Sequence, residues 1–316
     1  MLVRTMLVAV AVALIAPAAA GAASKPDVRT GGVSNLTFSS ATLNGRVDPN
    51  KAATTYFFRY GTTRVFTTDT ARGSAGSGAD PVRVSMTVAG LAPSTQYHYR
   101  IVAQNRLGIT VGEWRTFTTK RQPLGVTLAA NPNPVAPGAA TVLAGQLTGT
   151  NNAGRDVVLQ SNPFPYAQGF VNVANPQVTG PAGSFSFPVL SVPVTTQFRV
   201  VLAQRPDVTS PIVVVGAALQ VRTRTRKVAR HRHSVSVRFR GSVTPQNDGG
   251  RVGIQKFRNG VWTEIAHTRA KDAGSSKSVY NTRVRIYRSG LFRTVAEAQG
   301  PYVTGAGRAI EIRVRR

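Results

Sequence analysis

The stretch Tyr97-His98-Tyr99-Arg100-Ile101-Val102-Ala103 decides the fold, because its aromatic and aliphatic side chains recur at every second residue. This period of two places residues 97, 99, 101 and 103 on one face of a strand. The stretch Val235-Ser236-Val237-Arg238-Phe239-Arg240 alternates in the same way, with serine and arginine on the polar face. Similar segments recur along the chain with turn residues between them. The sequence therefore predicts an all-β fold whose strands each have one solvated face.

Composition narrows the class of protein. The chain has 316 residues, with 39 Lys+Arg against 12 Asp+Glu, a formal net charge of +27 and no cysteine. With 42% hydrophobic residues it is too apolar to be disordered by low hydropathy and high charge. The missing cysteines exclude a disulfide scaffold, a thiolate zinc site, an iron–sulfur cluster and a thiol nucleophile. We expect no cofactor.

The first 23 residues have the pattern of a secretory signal peptide. Arg4 supplies the positive region, Met6–Ile15 forms an apolar run, and Ala20-Gly21-Ala22 is a small-residue cleavage site. A membrane anchor is the alternative, but ten apolar residues are short of the roughly 20 that cross a bilayer. We expect a secreted protein, associated with the cell envelope, whose mature chain has no membrane span.

Three landmarks recur at intervals of about one hundred residues, which indicates an internal repeat. The first landmark is a glycine followed two residues later by an aliphatic residue, at Gly45-Arg46-Val47, Gly145-Gln146-Leu147 and Gly241-Ser242-Val243. The second is a four-residue stretch with an aromatic residue at its third position, at Thr95–His98, Thr196–Arg199 and Gly290–Arg293. The third is the dipeptide Ala-Gln, at 103–104, 203–204 and 298–299. The repeat predicts three tandem β-sandwich domains after the signal peptide. We place them at residues 24–121, 122–221 and 222–316.

The first unit resembles the fibronectin type III module over residues 28–119. The resemblance rests on Leu91-Ala92-Pro93-Ser94-Thr95-Gln96-Tyr97, on the strand that follows it and on the closing Phe117-Thr118-Thr119. It implies a seven-stranded sandwich with a tyrosine corner, in which the Tyr97 hydroxyl bonds to the chain a few residues upstream. Many members carry a core tryptophan where this chain has Leu43, so we expect a core packed around Trp114 instead. The Arg-Gly-Asp adhesion tripeptide of the family is missing.

The second and third units resemble bacterial immunoglobulin-like modules. Asn131–Gly138 is a turn-rich entry to a strand, and Gly183-Ser184-Phe185-Ser186-Phe187 starts another alternating strand. Asn259-Gly260 predicts a hairpin turn. The corner position holds Phe198 and Phe292, which have no hydroxyl, so we expect packing alone to hold these corners.

Catalytic residues are scarce. No Gly-x-Ser-x-Gly turn is present, and nucleophilic hydrolysis needs a nucleophile, a base and an orienting group. Asp48, Asp80, Asp207 and Asp248 lie beside Pro, Gly or Asn, where turn stabilisation is the simpler role. His98 is expected on the solvated face of its strand. The sequence therefore indicates no enzyme.

Two further groups have both a binding and a structural interpretation. His231 and His233 share a face if their stretch is extended, but the interleaved Arg230 and Arg232 oppose a bound cation, so we expect no metal site. Trp262, beside the predicted hairpin turn, is either a sugar-stacking platform or a partly buried cross-strand aromatic.

Positive charge is concentrated in the last unit. Residues 222–316 hold 22 bases and 5 acids, whereas residues 122–221 hold 3 and 2. If this unit follows the immunoglobulin plan, three arginine-rich strands lie in one sheet and their outward faces form one surface. Such a surface attracts polyanions. Its predicted members are Arg222, Arg224, Arg226, Arg238, Arg240, Arg283 and Arg285. The alternative is a solvated face whose arginines reflect coding bias.

These features predict an exported, non-enzymatic protein that acts as a spacer or binding protein at the envelope. One alternative is a binder of anionic cell-wall polymers through the arginine surface, and a second is an accessory module of a polysaccharide-degrading system. The expected partners are an anionic wall polymer or an envelope protein. We expect no physiological nucleic acid partner, although the same charge would attract nucleic acid non-specifically.

The signal peptide leads to the first prediction. The exported protein should begin within a few residues of Ala23, because the apolar run ends just before the small-residue site. N-terminal sequencing of the secreted fraction tests this. Recovery of Met1 in that fraction would contradict it.

Overall fold

A computed structural model of the protein describes residues 22–65 and 67–314. The predicted signal peptide lies outside the described residues, apart from its last two positions. Within the described ranges every regular element is a β-strand. No helix in this part of the chain is long and apolar enough to cross a membrane. The chain divides after Gln122 into two compact units.

The first unit is one sandwich of two antiparallel sheets. One sheet has the order β1-β2-β6, and the other has the order β4-β3-β7-β8, with β5 also paired to β3 and β9 to β7. The strands are β1 (Asp27–Ser34), β2 (Ser40–Asp48), β3 (Thr54–Gly61), β4 (Thr68–Asp69), β5 (Gly73–Gly76), β6 (Val82–Ala89), β7 (Gln96–Asn105), β8 (Gly108–Val111) and β9 (Arg115–Thr118).

The core of this sandwich contains Leu43, Phe58, Tyr99 and Ile101, which come from both sheets. The expectation of a core around Trp114 is wrong. That side chain is only half-buried, and the Arg100 guanidinium stacks on its ring, 4.5 Å from the centroid. Leu43 is completely buried at the position where many family members have tryptophan, so aliphatic packing replaces the ring.

Tyr97 is the second residue of β7, and its hydroxyl bonds back to the loop before that strand. Its hydroxyl accepts a hydrogen bond from the Ala92 N–H at 2.9 Å. The ring is buried and stacks on Phe117, with centroids 5.5 Å apart. A bond across five residues from a buried tyrosine at this corner is the arrangement called a tyrosine corner.

The second unit contains two further sandwiches. In the first of them, β12 pairs with β10, β11 and β16, and faces a sheet of order β14-β13-β17-β18 to which β15 and β19 also belong. The strands are β10 (Gly125–Val126), β11 (Ala129–Asn131), β12 (Ala139–Thr148), β13 (Asp156–Pro163), β14 (Val171–Asn172), β15 (Gln177–Val178), β16 (Ser184–Val192), β17 (Thr196–Leu202), β18 (Arg205–Thr209) and β19 (Val213–Val215). Its core contains Leu143, Leu159, Phe187 and the buried Phe198.

The last sandwich has sheets of order β20-β21-β25-β24 and β23-β22-β26-β27, with β28 paired to β26. The strands are β20 (Gln220–His231), β21 (Ser234–Thr244), β22 (Arg251–Arg258), β23 (Val261–Arg269), β24 (Lys271–Asp272), β25 (Ser278–Ile286), β26 (Gly290–Ala296), β27 (Gly305–Ala306) and β28 (Ile310–Ile312). Arg258 pairs with Val261, and Asn259 and Gly260 both have positive φ, which confirms the predicted hairpin turn.

The core of this last sandwich has two apolar clusters. One lies around Phe239 and Phe292, and the other contains Val243 and Tyr280. Three hydroxyl groups meet in the interior. The Tyr280 hydroxyl lies 2.7 Å from Thr223 Oγ1 and 3.2 Å from Thr294 Oγ1, and the two threonine hydroxyls bond to each other. The Tyr280 hydroxyl also donates to the Arg222 carbonyl oxygen at 3.0 Å.

The repeated glycines have a packing reason. A Cβ atom at Gly145 would lie 2.0 Å from the Thr127 carbonyl oxygen, and one at Gly241 would lie 1.8 Å from the Arg222 carbonyl oxygen. Thr127 lies between β10 and β11, and Arg222 lies in β20. Only glycine permits so close an approach of these backbone oxygens. The Ala-Gln landmark is different, because Ala103 lies inside β7 whereas Ala203 and Ala298 follow the ends of β17 and β26.

The predicted boundary at 221 cuts into the last sandwich. Leu219 and Val221 belong to its second core cluster, and β20 begins at Gln220. Residues 217–219 form two backbone hydrogen bonds with Val303. The Val303 N–H donates to the Ala217 carbonyl oxygen at 2.9 Å, and the Val303 carbonyl oxygen accepts from the Leu219 N–H at 3.1 Å. The two sandwiches of the second unit are therefore joined by a hydrogen-bonded segment.

The tyrosine corner leads to a stability prediction. Tyr97→Phe should lower the free energy of unfolding of residues 24–122 by about 1 to 3 kcal/mol, because the partly buried Ala92 N–H loses its acceptor. Urea denaturation measures this. Tyr60→Phe is the matched control, since the Tyr60 hydroxyl makes no hydrogen bond within the described residues and this tyrosine packs against the same core. Equal stability of the Tyr97→Phe variant and the parent would contradict the role given to this hydroxyl.

The buried tyrosine of the last sandwich leads to a pH prediction. Burial raises the pKa of the Tyr280 phenol, and the bonds from Thr223 and Thr294 offset part of that rise. The folded state then holds the phenol proton of Tyr280 more tightly than the unfolded chain does, because tyrosine in an unfolded chain has a pKa of about 10. The stability that this phenol contributes should be complete below that pH and should be lost as the pH rises through the folded value.

Denaturation midpoints of the parent and of Tyr280→Phe should therefore converge as the pH rises from about 9 to about 11. Taking the difference between the two proteins removes the contribution of all the other titratable groups. A constant difference across this range would contradict the prediction.

Candidate functional site

The arginine-rich strands of the last sandwich lie side by side in one sheet, with β21 between β20 and β25. Alternation fixes which way their side chains point. On β21, Val235, Val237 and Phe239 are buried in the core, so Arg238 and Arg240 point outward. The same alternation directs outward the other five predicted arginines: Arg222, Arg224 and Arg226 on β20, and Arg283 and Arg285 on β25. We call these seven residues the arginine face.

The register of the strands sets the arginines in rows. Arg224 pairs with Arg240, and Arg226 pairs with Arg238, which in turn pairs with Arg283. Directly paired residues on one face have Cβ atoms about 5 Å apart. Three pairs of like charge are thus directly opposite each other, an arrangement that opposes folding unless the charge is balanced.

The described residues provide no counter-charge for this face. No carboxylate oxygen among them lies within 4.0 Å of any of the seven guanidinium groups. Arg285 Nε donates to Ser234 Oγ at 3.0 Å. The other six guanidinium groups make no hydrogen bond within the described part of the chain, so their N–H groups are open to a ligand.

Other bases of this unit divide between the two sides of the sheet. Lys271 pairs with Val279, whose side chain points outward with Arg283, so Lys271 extends the arginine face at its edge. Lys227 pairs with Val237 and therefore points the other way; its Nζ donates to the Arg313 carbonyl oxygen at 3.0 Å. Sequence reasoning did not place Lys271 here, because its strand is only two residues long.

A smaller arginine row in the first unit escaped sequence analysis. Arg29, Arg46 and Arg83 are consecutive partners across β1, β2 and β6, and all three are exposed. Asp27 and Asp48 pair with each other on the same face, two residues along the strands. Two carboxylates thus lie beside these three arginines, so this row is partly neutralised.

The histidines do not form the pair that an extended strand would create. β20 ends at His231, and His233 lies in the two-residue turn before β21. The assumption of a continuous strand is therefore wrong. His231 Nε2 lies 3.2 Å from Ser236 Oγ. Across the described residues, no group of three or more histidine or acidic side chains is arranged to hold a metal ion.

The remaining candidates occupy structural positions. Asp48 Oδ1 accepts from the Asn50 N–H at 3.0 Å, and Asp207 forms an exposed ion pair with Arg205 at 2.9 Å. Trp262 pairs with Phe257 across the hairpin, and the Arg293 guanidinium lies 4.4 Å from its ring centroid. A face of this indole is thus already covered by a cation, which favours the cross-strand interpretation over a sugar platform.

No protein-family model matches the chain, and no curated protein matches it. Among solved structures, it is similar to the sensor domain of the anti-sigma factor RsgI4 in Pseudobacteroides cellulosolvens. The identity is 19%, with 31% of this chain and 98% of that chain covered and a TM-score of 0.26.

Two longer structures cover most of the chain. The FN1-FN3 domains of chicken CNTN1 are 14% identical over 91% of this chain and 99% of that one, with a TM-score of 0.29. A tetra-tandem repeat in the extending region of a large adhesion protein is 13% identical over 93% and 75%, with a TM-score of 0.29. Similarities at these TM-scores support no argument about function, so the fold rests on the strands and cores described above.

Proposed function

We propose that the protein is an exported, non-enzymatic chain of β-sandwich modules that retains an anionic polymer at the cell envelope through the arginine face. The observation that supports this proposal is the set of seven outward arginines on three adjacent strands, with no carboxylate of the described residues paired to them. Export is proposed from the pattern of residues 1–23.

Arginine suits such a ligand better than lysine does. Its planar guanidinium presents a fixed fork of N–H donors that matches the oxygens of phosphate and carboxylate groups. All seven members of the face are arginine. A ligand of opposite charge would also relieve the repulsion between directly paired arginines, so binding should be coupled to the stability of the sheet.

The rest of the second unit provides the spacer part of the proposed role. The segment between its two sandwiches is bonded to Val303, and the Thr195 N–H donates to the Pro301 carbonyl oxygen at 2.8 Å. A junction held by backbone hydrogen bonds resists bending. The arginine face is therefore presented on a stiff pair of modules.

Binding of an immobilised phosphate-bearing wall polymer by the full mature chain tests the proposal. The quadruple change Arg238→Gln, Arg240→Gln, Arg283→Gln and Arg285→Gln should abolish most binding at low salt. The slope of log K against log salt should fall by about 1 for each phosphate contact that is lost.

The matched control removes the same charge outside the arginine sheet, with Arg258, Arg269, Lys277 and Arg308 each replaced by Gln. Lys271 is left unchanged because it lies at the edge of the face. The control should retain most of the binding. Equal losses in the two variants would show that net charge alone is responsible and would reject the proposed face, and absence of binding in the parent would reject the function itself.

A further inference from the structure

The arginine face has an internal order that its net charge does not require. Pairs of arginines two residues apart lie on three adjacent strands: Arg222 and Arg224 are two of the three outward arginines of β20, Arg240 and Arg238 lie on β21, and Arg283 and Arg285 lie on β25. We call these three pairs the arginine track. Arg226 belongs to the face but lies outside the track.

The register makes the track diagonal. Arg224 pairs with Arg240, so the β21 pair is displaced by one row from the β20 pair. Arg238 pairs with Arg283, so the β25 pair is displaced by one further row in the same direction. Each step therefore crosses one strand and advances by two residues. Diagonal neighbours of this kind are about 7–8 Å apart.

A pair of arginines suits one phosphodiester group. The two non-bridging oxygens of a phosphodiester point to opposite sides of the polymer backbone, so two guanidinium groups can flank the backbone and each can bond to one oxygen. A carboxylate attached as a side group points both oxygens in one direction and suits a single guanidinium fork. Pairs along a line thus favour a polymer whose charge lies in its main chain.

The step length indicates the repeat of that polymer. A peptide residue has three backbone bonds and spans about 3.3–3.6 Å when extended, so about six bonds span about 7 Å. A phosphodiester joined through a three-carbon alcohol has a repeat of this size. Successive phosphates of such a chain would meet successive pairs of the track.

The surface around the track provides little for a nucleic acid base. The outward neighbours of the pairs include Ser236, Ser242 and Asn281, and base recognition on single strands depends on aromatic side chains on which bases stack. Two exposed rings lie at one end of the track: His231 Nε2 is 3.2 Å from Ser236 Oγ, and the Arg285 guanidinium is 5.9 Å from the centroid of Tyr287, which follows the end of β25. A base-free chain fits the track better.

We infer that the arginine track binds three successive phosphates of a linear, base-free phosphodiester polymer with a repeat of about six backbone bonds. This inference rests on the proposed function and specifies its ligand class. It requires the polymer to run diagonally across β20, β21 and β25.

Synthetic three-phosphate oligomers test the spacing on the full mature chain. One oligomer joins its phosphates through propanediol, with about six bonds per repeat, and the other through hexa(ethylene glycol), with about twenty. Effective concentration falls with roughly the −3/2 power of linker length, so the longer linker should weaken binding about sixfold for each of the two added contacts and about 36-fold in total. Three phosphate contacts predict a slope of about −2 for log K against log salt concentration with the propanediol oligomer.

Two variants test the path. Arg238→Gln with Arg240→Gln removes the central pair and separates the outer two, so the propanediol oligomer should lose its advantage over the longer oligomer. Arg226→Gln with Arg308→Gln removes the same charge, including one arginine of the face, and should preserve the advantage. All four substitutions are at surface positions, and thermal denaturation checks that both variants remain folded.

The outcomes distinguish a failure of the arginine track from a failure of the proposed function. Equal affinity for both oligomers, or equal effects of the two variants, would overturn the track while leaving a charge-based arginine face in place. Tighter binding of a thymidine oligonucleotide with three phosphates than of the propanediol oligomer would show that bases contribute and would overturn the base-free ligand. Failure of every polyanion to bind would reject the proposed function as well.

Discussion

The alternation of side chains along β21 is the constraint on which the last sandwich depends. Val237 and Phe239 are almost fully buried, while Arg238 and Arg240 between and after them face outward. A shift of one residue in register would bury the arginines and expose the core, because the side-chain period of a strand is two. Burying an unpaired guanidinium is far more costly than any gain in that alternative. The core therefore fixes the position of the charges.

That constraint gives the two arginine rows of the chain different surroundings. In the first unit, Arg46 lies between Arg29 and Arg83, and a pair of aspartates follows on the same face. On the arginine face, Arg238 lies between two arginines, and no carboxylate in the described part of the chain forms an ion pair with it. Repulsion between arginines lowers the stability of both sheets. In the first unit the two aspartates offset part of this repulsion, whereas on the arginine face no described side chain does so. A protein that keeps such a face gains from a ligand that covers it, which is why the two rows suggest different roles.

Local patterns in the sequence were enough to predict strands, one turn and the side on which charge lies. Alternation in residues 235–240 indicated the outward arginines, and Asn259-Gly260 indicated a hairpin that is present in the structure. The Tyr97 motif led to a specific bond, which is seen as the contact with Ala92. Each of these features depends on residues within a few positions of each other, so short-range chemistry determines them.

Features that depend on distant residues were missed or mistaken. The core position of Leu43 and the half-buried position of Trp114 outside the core depend on how two sheets face each other. The strand that places Lys271 beside Val279 has too few residues to show a period. The diagonal order of the arginine pairs depends on the register between strands up to about sixty residues apart, which alternation within each strand does not specify.

Register on the outer face is maintained by contacts on the inner face. The Arg222 carbonyl oxygen accepts a bond from the Tyr280 hydroxyl, which joins the edge strand β20 to β25 across β21. The lack of a side chain at Gly241 lets that same carbonyl approach β21 closely. These contacts add to the backbone pairing between β20 and β21 and oppose the repulsion between the like charges of the edge strand. The buried hydroxyl cluster and Gly241 therefore help to hold β20 in the register that aligns Arg222 and Arg224 with the arginine pairs of β21 and β25. The diagonal order on the surface thus depends on contacts in the interior.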